Sequence, residues 1–136
     1  MNNINIDKDT MTKIEELKLM SVLEDMLYHP SLINLDVSDV EYMFKGKTLF
    51  AVIDTQLQKG QEPVINSFGD SLDEVYGLLY FYLPDGTSTD MIEDIIIKIR
   101  EKIGDIEIAF GLSMSNEVKN IRVAGFFTTC SSIKNA

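Results

Sequence analysis

The segment Thr48-Leu-Phe-Ala-Val-Ile-Asp54 constrains the fold more than any other stretch of this chain. Its unbroken apolar run leaves no polar face to turn toward water, the mark of a strand covered on both sides of a sheet. Such a sheet needs helices over its faces, and the chain supplies them. Met11, Ile14, Leu17, Val22, Met26 and Leu27 fall at helical spacing, with Asp9 or Thr10 placed to cap. His29-Pro30 stops that helix, because the residue before a proline is pushed out of the α region. A short helix is expected from Val37 to Phe44, with Gly46 just beyond it. The clearest helix carries Ile92, Ile95, Ile96, Ile99 and Ile103 as one buried stripe. Thr87, Ser88 or Thr89 caps it, Asp94 stands four residues before Lys98 on its outer face, and Gly104 closes it.

Between the second and third helices, residues 55 to 73 are polar and carry Gly60, Pro63 and Gly69, which predicts a long connection. Val75 to Leu83 reads as a strand ended by the turn Pro84-Asp85-Gly86. From Ile106 to Met114 apolar residues alternate with small or polar ones, so one face is buried. Ser115-Asn116-Glu117 then predicts a hairpin into a last strand from about Lys119 to Thr128. The order is helix, helix, strand, strand, helix, strand, strand. It fits an α+β fold, a four-stranded mixed β-sheet with helices packed on it. We expect a disordered N-terminus over 1–8, a helix over 9–30 leading into one domain over 31–128, and a flexible tail over 129–136.

Charge narrows the partners. Twelve basic against 22 acidic residues give a formal charge of −10, which repels phosphate backbones and anionic lipid. Nucleic acid and direct membrane contact are therefore not expected. The single Cys130 excludes an internal disulfide and any thiolate metal cluster. No apolar run approaches the ~20 residues of a membrane span and no signal peptide is visible, so a cytoplasmic location is expected.

Several chemical signals fail. Gly46-Lys47-Thr48 resembles the tail of a phosphate-binding loop, but Glu41 stands where the first glycine belongs and a strand follows instead of a helix. The lone His29 has no second ligand at metal spacing and reads as a helix-end residue. No Ser or Cys is flanked by a recognisable base motif. Tyr76, Tyr80 and Tyr82 read as sheet packing.

One loop does not fail. Asn34, Asp36 and Asp39 follow N-x-D-x-x-D spacing directly after the proline-terminated helix. Two readings stand. In the first, Asp36 is the N-cap of the next helix and Asp39 at its third position is favoured by the helix dipole. In the second, two projecting carboxylates one turn apart orient and polarise a water, as phosphoanhydride hydrolysis requires. Leu32, Ile33, Leu35 and Val37 are then expected to pin the loop from beneath. Nothing in the chain is suited to hold the phosphate itself.

Leu32-Ile-Asn-Leu-Asp-Val-Ser-Asp-Val40 resembles the synergy loop of FtsZ, the bacterial tubulin relative that builds the division ring. Gly77-Leu-Leu-Tyr-Phe-Tyr-Leu83 with its turn and helix is similar to that family's next strand and helix. Phe110-Gly-Leu-Ser113 and Ile121-Arg-Val-Ala-Gly125 resemble its paired last strands. The match covers about Val22 to Thr128, the C-terminal, GTPase-activating domain. The family's GTP-binding half and its adaptor-recruiting tail have no counterpart in these residues. Ser31 stands where the family usually has glycine, and residues 55 to 73 do not match.

The resemblance implies a cell-division protein of the tubulin superfamily, active in polymerisation and septation. Its synergy loop would complete GTP hydrolysis on a neighbouring subunit. Asp36 and Asp39 would be the catalytic carboxylates and Asn34 would line the nucleotide contact. No cofactor is expected on the chain alone; GTP with Mg would be presented by a GTP-bearing FtsZ-like partner or through self-association. The alternative is a catalytically inert scaffold that keeps the fold. It would dimerise through an exposed sheet face or an edge along the last strand, or bind a small ligand.

Overall fold

The computed structural model describes residues 4–29, 31–58, 61–70 and 74–130. Three helices come first: α1 (Lys8–Glu16), α2 (Met20–Tyr28) and α3 (Val37–Phe44). The strands β1 (Lys47–Leu57), β2 (Ile65–Ser67) and β3 (Val75–Pro84) follow. Then come α4 (Thr89–Ile103), β4 (Glu107–Ser115) and β5 (Ile121–Cys130). The strands form one five-stranded mixed sheet in the order β2-β1-β5-β3-β4. The expected α+β class holds; the added strand is β2, inside the stretch read as a plain connection.

Both faces of the sheet are covered. Leu49, Val52, Leu78, Tyr80, Ala124 and Phe126 pack with Ile14, Val22, Leu23, Met26 and Val40 of α1–α3. Phe50, Ala51, Ile53, Leu79, Phe81, Val123 and Phe127 pack with Ile92, Ile95 and Ile99 of α4. Ile96 and Ile103 are partly buried at the border of the stripe. The register of β1 against β5 shifts between Leu49 and Ala51. That bulge puts the adjacent Phe50 and Ala51 with the same cluster. The sheet therefore offers no bare face for dimerisation.

The predicted terminal hairpin is corrected. β4 pairs with β3 in parallel, Tyr76 against Glu107 through Pro84 against Ser115. β5 instead lies between β1 and β3, antiparallel to both. Of the two strands, Ile121–Cys130, buried along nearly its whole length, has the composition of an interior strand, and Glu107–Ser115, half-exposed, suits an edge. The 15-residue α4 is the crossover that a parallel pair requires. The last strand accordingly presents no free edge.

The single helix expected over 9–30 is two. Asp7, not Asp9 or Thr10, caps α1 by accepting from the Thr10 N–H at 2.9 Å. Lys18 breaks the helix in the left-handed region at φ 62°. The Leu19 N–H reaches back to the Ile14 carbonyl and the Lys18 N–H to Glu15, a paired C-terminal closure. A continuous helix would turn Lys18 toward the core four residues after Ile14. The break brings Leu19, Val22, Leu23 and Met26 inward instead.

The expected arm over 1–8 is docked from Ile4 onward: Ile4 and Ile6 pack on the helical cluster, and the Asn5 N–H donates to Glu41 at 2.6 Å. Residues 1–3 lie outside the described residues. Of the expected tail over 129–136, Thr129 and Cys130 belong to β5, and 131–136 lie outside the described residues. Lys98 pairs with Glu62 at 3.8 Å, joined by Lys102 at 3.6 Å; the expected partner was Asp94.

Candidate functional site

The loop between α2 and α3 is built from local rules outward. His29 terminates α2 in extended conformation, as the following Pro30 demands. Asp36 is the N-cap of α3: its Oδ1 accepts from the Asp39 N–H at 3.0 Å and from the Ser38 hydroxyl at 2.9 Å. The Asp39 N–H first, and the Ser38 hydroxyl second, hold the Asp36 carboxyl below the ordinary carboxylate range. Asp36 is therefore a fixed anion at neutral pH. Asp39 lies one turn on in the first turn of α3, and Asn34, Asp36 and Asp39 are all exposed.

The four apolar neighbours do not act together as a floor. Leu35 is buried at 7% exposure, whereas Leu32 is 67% exposed and Ile33 and Val37 also face solvent. The loop is instead held by backbone. Ile33 bridges Leu112 on the outer edge of β4: Leu32 N–H donates to the Leu112 carbonyl at 2.9 Å, and Leu112 N–H to the Ile33 carbonyl at 3.1 Å. Gly111 makes the approach possible, since a Cβ there would meet the Ile33 oxygen at 2.9 Å. At the loop's start, Ser31 Oγ lies 2.5 Å from the Tyr80 hydroxyl. Of these holding residues the sequence points only to Ile33, as an apolar pin; Gly111, Leu112 and the Ser31–Tyr80 pair are not anticipated in this role. The available signal was a lone glycine inside a strand pattern, which marks close backbone approach.

Lys47 enters β1, donates to the Tyr42 carbonyl at 2.7 Å, and lies over the rings of Tyr42 and Tyr76 at 4.3 and 4.4 Å. A second polar cluster runs across the sheet beside the loop. The Tyr82 hydroxyl donates to Asp25 of α2 at 2.5 Å, and Arg122 lies 4.7 Å over the Tyr82 ring. Arg122 grips Asp54 with two bonds of 2.8 and 3.0 Å. Burial first, then the Asp25 bond, raises the Tyr82 phenol. Among the described residues, no three carboxylate, imidazole or thiol groups converge to hold a metal. No helix among them is long and apolar enough to cross a membrane. A cleft of about 660 Å³ lies between α4 and the ends of β1 and β5 and shares no residue with the loop.

The architecture defines the class: this is an FtsZ-like fold. Among solved structures, an FtsZ point mutant from M. jannaschii matches with a TM-score of 0.54 and 14% identity. The match covers 93% of this chain and 42% of that one. An FtsZ dimer from M. jannaschii matches with a TM-score of 0.56 and 12% identity, covering 91% and 40%. The chain thus spans about two-fifths of the length of the FtsZ structures it matches. No sequence-family profile and no curated protein sequence matches it.

Proposed function

We propose that this chain is an FtsZ-type C-terminal domain whose loop docks on the nucleotide of a GTP-bearing subunit in the cytoplasm during septation. Asp36 and Asp39 orient the water that attacks the γ-phosphorus. The bond between γ-phosphorus and the bridging oxygen breaks, GDP leaves, and the water's proton passes toward a carboxylate. Asn34 lines the contact, and the chain binds no GTP alone. The observation that carries this reading is an acidic pair exposed at a helix start, on a loop tied down by backbone bonds to a sheet edge. Preorganised groups of this kind lose little freedom on reaching a reacting centre. The outward Leu32, Ile33 and Val37 give the loop an apolar rim suited to a protein surface.

Titration of the domain into full-length FtsZ, followed by phosphate release and light scattering, tests the proposal. Wild type should stimulate release, or shorten filaments by occupying an end. Asp36→Asn and Asp39→Asn should each lower any stimulated rate on the order of a hundredfold. Identical behaviour of all three proteins refutes the hydrolytic role.

The inert alternative draws support from the 660 Å³ cleft, whose Leu57, Met91, Ile95 and Ile121 meet Lys98 and Lys119 at its walls. It predicts no response of FtsZ to either the domain or its variants.

A further inference from the structure

The start of the loop is joined to the middle of the sheet by a hydroxyl relay. Ser31 Oγ donates to the His29 carbonyl at 2.9 Å. With its proton committed there, it accepts from the Tyr80 hydroxyl at 2.5 Å. Tyr80 lies in β3 and is 1% exposed. A buried phenol without a partner is costly, so this bond persists for a reason independent of the loop. Two residues further on, the Ile33–Leu112 bridge fixes the chain to β4. Gly111 serves both ties: a Cβ there would meet the Ile33 oxygen at 2.9 Å and the Tyr80 ring at 3.2 Å. Beyond the bridge, burial of Leu35 and the Asp36 cap secure the other end.

We propose that Tyr80 and Ser31 form a latch that sets the loop's position, with Tyr80 the positioning residue for Asn34, Asp36 and Asp39. The exposed residues between Ser31 and Leu35 bury little apolar surface of their own, so their order depends on these ties. Releasing the relay lets the segment move from the β4 edge while the sheet beneath it stays packed. The consequence for hydrolysis rests on the docking role proposed above; the latch itself does not.

The test is amide hydrogen exchange by NMR on the full chain and on Tyr80→Phe, Ser31→Ala and Ser31→Thr. The reporting amides are those of Leu32 and Leu112, which span the bridge, with Val123 in the central strand as reference. Tyr80→Phe and Ser31→Ala should speed exchange at Leu32 and Leu112 roughly three- to tenfold, the worth of one hydrogen bond, and leave Val123 unchanged. Ser31→Thr, which keeps the hydroxyl, should restore slow exchange. In the FtsZ titration the two releasing variants should lower the maximal rate without moving the half-saturating concentration. Unchanged exchange at Leu32 and Leu112, or a rise only in step with Val123, overturns the latch. Local acceleration with no change in phosphate release, for these variants and for Asp36→Asn alike, upholds the latch and removes the docking role.

Discussion

Gly125→Ala tests how tightly the central strand is clamped. Gly125 lies in β5 opposite Ile53 of β1 and Leu79 of β3. A Cβ at this position would stand 2.1 Å from the Leu78 carbonyl oxygen, 2.9 Å from Leu79 Cα and 3.1 Å from the Leu78 carbonyl carbon. All three are backbone atoms, so no side chain can swing aside. Restoring ordinary contact requires β3 and β5 to part by more than about 1 Å, enough to take hydrogen bonds near 2.9 Å out of range. Two such bonds, at about 1 kcal/mol each, add to about 1–3 kcal/mol of overpacking strain. The sum, roughly 3–5 kcal/mol, is a large share of the ~5–15 kcal/mol that holds a domain folded. The chain has no tryptophan, so urea unfolding is best followed by far-ultraviolet circular dichroism. Gly111→Ala is the matched control. There the short contact is to the Ile33 oxygen, on a loop able to retreat, so the loss should be only about 1 kcal/mol, with Leu32 and Leu112 exchange accelerated. Equal stability losses for the two variants, or a Gly125→Ala protein within about 1 kcal/mol of wild type, refute the reasoning.

Two further outcomes follow from the electrostatics. The Asp36 carboxyl titrates below its ordinary 3.8, so its stabilising effect is complete above that value and is lost as pH falls through the depressed folded value. Wild type should therefore exceed Asp36→Asn in stability by a constant margin above about pH 5, and that margin should shrink as pH falls further. A margin independent of pH contradicts the assignment. For the Arg122–Asp54 pair, both partners about a third exposed, a double-mutant cycle with alanine should return a coupling of about 0.5–1 kcal/mol. That coupling should shrink in 1 M salt, and a salt-independent value contradicts a solvent-screened pair.

Much of this fold is legible where one local rule dominates. Val37–Phe44 is bounded by a capping aspartate and a following glycine, and the helix occupies the predicted residues. Thr89–Ile103 is as clear, because Ile92, Ile95 and Ile99 repeat at one period against a far side that is polar apart from the exposed Met91 and Ile97. Strand order is harder, because adjacency in sequence suggests a hairpin for β4 and β5. Composition marks β5 as interior, since Val123, Ala124, Phe126 and Phe127 are buried on both faces, but the strand that lies beside it is set by tertiary pairing, which puts β3 between β5 and β4. The break at Lys18 was illegible for another reason. Its left-handed turn carries no glycine, and Leu17 and Leu19 bracket it so that either helical phase fits the apolar pattern. At the loop, the cap and acidic spacing were visible and Gly111 marked a close backbone approach without naming its partner, whereas Tyr80 and Leu112 meet the loop through tertiary pairing that no local pattern encodes.

The two aspartates are not equivalent, and the hydrogen bonds say how. Asp36 Oδ1 holds the start of α3 through the Asp39 backbone N–H. That donor survives any change of the Asp39 side chain. Asp39→Asn therefore leaves the cap, the helix and the latch in place while removing one negative charge from the exposed rim. Asp36→Asn disturbs more: asparagine still caps, but the fixed anion is gone. A loop whose only role is to begin a helix predicts that Asp39→Asn costs only the dipole interaction, about 0.3–1 kcal/mol in unfolding, and is silent in every assay with FtsZ. A loop that works on a neighbour's nucleotide predicts the same small stability change together with a lost rate. Asp39, the carboxylate with the smaller structural duty, is thus the more decisive position. A rate loss confined to Asp36→Asn would assign the loop's effect to its cap and leave Asp39 without a chemical role.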